Sequence, residues 1–182
     1  MGLQKPKVQV QEIAVFGESG SGKTVLMSSF YGTAQEPDVL KTSLYDVVAD
    51  DQGQGNRLHK NYLGMKNSSQ TPPLTRFAAT RYGFTVKLRK QSDPKARKKQ
   101  PFDSLQLIWH DYPGEWFEQS LDDPLERQRR VETFRALLGS DVAVLLVDAQ
   151  RLVDNTGEEE RYLKSLLSNF KSGLLNLQDD LI

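Results

Sequence analysis

Gly17-Glu18-Ser19-Gly20-Ser21-Gly22-Lys23-Thr24 fills every fixed position of the pattern G-x-x-x-x-G-K-[ST]. Before it, Val8 to Phe16 is a β-type run with Ile13, Ala14 and Val15 inside it; an apolar stretch from Val25 to Tyr31 follows. Strand, glycine-rich loop and helix in that order form a phosphate-binding loop. The glycines let backbone N–H groups turn inward around an anion, and the helix N-terminus adds its dipole. The pattern assigns nucleotide phosphates to Glu18, Ser19, Gly20, Ser21, Gly22, Lys23, Thr24 and Val25. Lys23 supplies a point charge for the β- and γ-phosphates, and Thr24 a hydroxyl for Mg²⁺. A nucleoside triphosphate is the expected ligand.

Composition narrows what surrounds this loop. The chain has 182 residues, enough for one domain with a core and tight for two. Its net charge is +0, so no global field recruits nucleic acid or an anionic membrane. Cysteine is absent, which excludes disulfides and thiolate metal sites. No run approaches the length of a membrane span, and the N-terminus lacks an apolar signal core. A cytoplasmic protein is expected.

Further along, Gly32 to about Thr80 is a long mixed insertion, read as helical from Pro37 to Ala49 and as a turn over residues 50–56. Tyr82 to Leu88 and Phe102 to Trp109 alternate apolar and polar residues, as paired strands do. Between them lies a basic tip, Lys87 to Lys99, lacking the aromatics of a nucleic-acid platform and read as a solvated edge. Pro124 to Leu138 reads as a helix and Val142 to Val147 as a buried parallel strand. An amphipathic helix, Glu158 to Phe170, follows. The pattern is α/β.

A second motif closes the hairpin: Asp111-Tyr112-Pro113-Gly114. An aspartate at the end of an apolar strand is placed to hold Mg²⁺ opposite Thr24, and the glycine can bring a backbone N–H to the γ-phosphate. With these two motifs in this order, residues 8–170 resemble the G domains of translation-factor-type and Ras-like P-loop GTPases. The six residues Asp111 to Trp116 look like the bacterial YcjX-like and double-GTPase families. The resemblance implies a P-loop G domain over 1–182, incomplete at its C-terminus, with a mostly parallel sheet, one antiparallel hairpin strand and helices on both faces. It implies GTP and GDP as ligands with Mg²⁺. It also implies a switch with slow intrinsic hydrolysis, and an effector or activating protein reached through the switch loops. Association into a homo-oligomer is a further expectation, because a sheet ending at its last strand leaves an edge.

Three positions depart from the family pattern. No [NT]-K-x-D follows Asp148, so guanine preference rests on the resemblance alone. Glu115 stands where Ras-like proteins place a water-positioning glutamine, and a carboxylate there repels the γ-phosphate while accepting a proton from water. The switch threonine is chosen among Thr71, Thr75 and Thr80, with Thr75 favoured because it follows Pro72-Pro73 and precedes the strand. The expected catalytic set is thus Lys23, Gly114 and Glu115, and the metal set Thr24, Asp111 and Thr75. Asp148 is read as a structural or capping residue; in an ATPase or kinase it would be the metal aspartate. A nucleotide-sensing module without turnover is the other alternative. His110 is read as a packing residue, and Trp116 and Phe117 as either a docking surface or core anchors.

Overall fold

The computed structural model describes residues 7–73, 80–89, 103–112, 114, 124–154 and 156–175. Strand β1 (Val8–Gly17) runs into the glycine-rich loop and helix α1 (Lys23–Ala34) leaves it. Then come α2 (Pro37–Thr42), β2 (Tyr45–Ala49), α3 (Gln52–Ser68), β3 (Thr80–Leu88) and β4 (Ser104–Asp111). After them come α4 (Pro124–Leu138), β5 (Val142–Leu146), α5 (Ala149–Asp154) and α6 (Glu159–Leu175). The architecture is mixed α/β, with a five-stranded sheet ordered β2-β3-β4-β1-β5. β1 and β5 pair in parallel, Ile13 opposite Val142 and Gly17 opposite Leu146. β2 and β3 pair antiparallel, Tyr45 opposite Leu88 and Ala49 opposite Phe84.

The described residues group into two compact units. The first comprises 7–12, 24–73, 81–89 and 103–109. Its core includes Met27, Val47, Leu58, Tyr82, Phe84 and Ile108. The Trp109 ring lies 5.1 Å from Phe30 and 6.4 Å from Phe84, centroid to centroid. Helices α1 and α3 approach through glycine. A Cβ at Gly32 would fall on the Tyr62 ring, and one at Gly55 would stand 2.8 Å from Ala49 Cβ. Gly32→Ala therefore sets a helix-propensity gain of about 1 kcal/mol against overpacking of about 1–3 kcal/mol. The clash is with the Cβ as well as the ring atoms of Tyr62, which cannot swing clear without moving α3, so a net loss is expected. Thermal unfolding checks it: a melting temperature at or above wild type contradicts the contact.

The second unit comprises 13–23, 80, 110–112, 114, 124–154 and 156–175. Its buried cluster is Ala14, Phe16, Tyr112, Val131, Phe134 and Leu137, with Leu145 and Phe170 packed against it. Phe16 and Phe170 stack at 4.4 Å. The apolar face of α6 thus packs behind the strand that carries the loop.

Three expectations change. The stretch Pro37 to Ala49 is not one helix: α2 ends at Thr42 and Tyr45–Ala49 is a strand. Residues 50–56 are not a turn throughout, because α3 starts at Gln52, where Asp51 caps it by accepting from the Gln54 N–H at 2.7 Å. β5 is not a buried strand: it is last in the sheet order and Val142 is 44% exposed.

Candidate functional site

The loop that follows β1 is shaped by backbone needs only glycine meets. Gly20 and Gly22 have φ of 83° and 97°, the left-handed region that a side chain disfavours. Gly17 is required by space: a Cβ there would stand 2.6 Å from both the Leu146 carbonyl oxygen and Ser21 Oγ. The Ser21 N–H donates to the Glu18 carbonyl at 3.1 Å, closing a tight turn. Lys23 is 7% exposed and lies across this turn, its Nζ donating to Gly17 O at 2.8 Å and to Glu18 O at 3.0 Å. The ammonium is thereby fixed by two main-chain acceptors of the loop it serves. Thr24 is the second residue of α1, half-buried, and Val25 next to it is 39% exposed.

The second motif meets the first. β4 ends at Asp111, whose side chain is fully buried. The Tyr112 N–H donates to the Val15 carbonyl at 3.3 Å, tying the segment to β1 just before the loop. Gly114 is buried, and a Cβ on it would collide with the Ser19 amide nitrogen and the Glu18 carbonyl carbon. The glycine of D-x-x-G therefore lies directly on the backbone of the phosphate loop. His110 stacks on Tyr112, ring centroids 6.2 Å apart, in keeping with a packing role.

Asp148 does what a capping residue does. Its Oδ1 accepts from the N–H groups of Gln150 at 2.9 Å and Arg151 at 3.4 Å, opening α5. A residue that sequence reasoning passed over stands beside it. Arg151 Nη1 donates to Glu18 Oε2 at 2.8 Å, and the Tyr162 hydroxyl donates to the same oxygen at 2.9 Å. Burial, and then the hydrogen bond to Glu18, push the Tyr162 phenol above its ordinary range. The sign follows: the protonated phenol is the form the fold favours, so this contribution is present at neutral pH. It is lost only as pH rises through that raised value.

Of the expected site residues, the structure brings together Glu18, Ser19, Lys23 and Gly114; Asp111 is the last residue of β4, and Thr24 the second of α1. Thr75, Glu115, Trp116, Phe117 and the basic tip beyond Arg89 lie outside the described residues. Among the described residues, no group of three His, Cys, Asp or Glu side chains could hold a metal ion. Mg²⁺ does not require one, since it is commonly held by one or two protein oxygens together with phosphates and water. Among the described residues no helix is long and apolar enough to cross a membrane.

The model of the Double-GTPase 2 family matches residues 11–181. No curated protein matches the chain.

Proposed function

Since the chain belongs to the Double-GTPase 2 family, we propose that it binds GTP with Mg²⁺ at loop 17–24, hydrolyses it slowly and changes conformation with the state of the nucleotide. The observation that supports this most is the seating of Gly114 against Ser19 and Glu18, which ties the second motif to the first. A chance glycine-rich turn before a helix has no reason to meet D-x-x-G backbone to backbone.

The residues present fit the ligand. Gly20 and Gly22 hold the loop in the left-handed turns that aim N–H groups at an anion. Lys23 is pre-positioned by two carbonyls, so little of its side-chain entropy remains to be lost on binding. Thr24 and Asp111 would hold Mg²⁺, with Thr75 as the switch ligand. When bound there, the ion would supply positive charge against the charge that develops on the phosphates. Gly114 would offer a backbone N–H to the γ-phosphate, and Glu115, next in the chain, occupies the sequence position of the water-positioning glutamine of Ras-like proteins. Its negative charge opposes the approach of a γ-phosphate, which is the basis for slow turnover without an activating partner.

Binding of GDP, a non-hydrolysable GTP analogue and their adenine counterparts, with and without Mg²⁺, tests the reading. A preference for guanine is expected. Equal binding of both bases would leave only a phosphate site. Asp111→Asn and Asp148→Asn separate GTPase from ATPase logic. The first is expected to lose Mg²⁺-dependent affinity by about tenfold or more. The second should retain most of its affinity, because asparagine still accepts the two N–H bonds that Asp148 now takes. The reverse pattern would make Asp148 the metal aspartate.

A further inference from the structure

Glu18 puts a carboxylate at a variable position of a loop whose work is to bind anions. Left to itself, a negative charge there opposes phosphate binding, and the opposition grows as water is excluded. The side chain is only 14% exposed, so solvent does little to screen it. Two residues far away in sequence meet it. Arg151, in the first turn of α5, and Tyr162, in α6, both donate to Oε2, at 2.8 and 2.9 Å. Arg151 also stands 3.7 Å from the Asp148 carboxylate, which helps hold its guanidinium toward the loop. Meanwhile the Glu18 carbonyl accepts from Lys23 Nζ. One residue is thus gripped by its side chain from α5 and α6 and by its main chain from the phosphate-binding lysine.

We infer that Arg151 and Tyr162 are positioning residues of the nucleotide site: they hold the Glu18 carboxylate on the side of α5 and α6 and neutralise it, so that loop 17–24 presents net positive charge to the phosphates. The inference rests on the nucleotide reading above. It gives α5 and α6 a part in nucleotide affinity without either helix touching the ligand. Anything that draws Arg151 away from Glu18 returns a negative charge to the loop and weakens its hold on the nucleotide.

The test is a charge cycle read by binding of the non-hydrolysable GTP analogue with Mg²⁺. Arg151→Ala is expected to weaken binding about tenfold at low ionic strength, the scale of a charge-assisted hydrogen bond. The deficit should shrink in about 0.5 M salt as the exposed charge is screened. Adding Glu18→Gln to Arg151→Ala should restore affinity to within about threefold of wild type, because the charge that Arg151 answers is gone. Tyr162→Phe, which keeps the packing, is expected to cost about two- to fivefold. A merely structural role for Arg151 moves affinity without rescue and without salt dependence.

Wild-type binding with an unaffected Arg151→Ala overturns the inference alone, as does equal loss in the single and double variants. Absence of binding by wild type overturns the nucleotide reading and this inference with it. Should Arg151→Ala unfold, Glu18→Gln alone decides. Binding at least as tight as wild type supports the inference, and weaker binding overturns it.

Discussion

Lys23→Ala is expected to lower affinity for a guanine nucleotide about 100-fold or more and to lower the melting temperature as well. The ammonium is nearly buried and already committed to the Gly17 and Glu18 carbonyls. Two of its three N–H groups are taken, so at most one serves phosphate; that charge-assisted bond would be worth about 1.5–3 kcal/mol, and with the attraction of the ammonium charge itself in a water-poor site it accounts for the expected loss. Stability falls for a separate reason. Removal of Nζ leaves two loop carbonyls without this donor, at about 1–3 kcal/mol for each one that stays out of water. Titration calorimetry reads the first effect and thermal unfolding the second. Affinity within about threefold of wild type would remove the lysine from the phosphate site.

Gly114→Ala is expected to slow single-turnover hydrolysis by about tenfold to 100-fold. The added methyl would lie on the Ser19 amide and the Glu18 carbonyl carbon, which are backbone atoms inside a constrained loop. They cannot swing aside as the end of a long side chain can, so either the loop or the segment after β4 must shift. A displacement on the order of 1 Å at a reacting centre costs about 100-fold in rate. Overpacking also costs about 1–3 kcal/mol of stability. An unchanged single-turnover rate in a folded variant would mean that hydrolysis does not use this close approach.

What could be read from sequence was local and tightly constrained. The glycine-rich loop is a contiguous pattern in which each residue type has a backbone reason, and those reasons reappear in the φ angles of Gly20 and Gly22. The β3 alternation was legible because Tyr82 and Phe84 face a core, whereas in β4 Ile108, read on the polar side, is buried along with its neighbour Trp109. β2 was missed because it is short: Val47 and Ala49 are buried with Val48 exposed between them, a period-two signal too brief to outweigh the helix beginning at Pro37. The start of α3 was hidden by Gly53 and Gly55, which read as turn residues. Gly55 is there because Ala49 and the Tyr31 hydroxyl leave no room for a side chain. The Glu18 clasp could not be read, since its partners lie 133 and 144 positions away. The one signal was the carboxylate itself, an odd charge in an anion loop that called for a cation somewhere.

Thr24 opens α1 and Gly32 sits near the other end of the same helix. At 1.5 Å of rise per residue, about 12 Å of rigid rod separates them. A rod has no private positions: its seat against Tyr62 at one end sets the height of the hydroxyl at the other. The missing methyl at Gly32 is in that sense a length standard for the Thr24 hydroxyl, which the proposed function assigns to Mg²⁺. A residue eight positions away thereby calibrates where that hydroxyl stands along the helix.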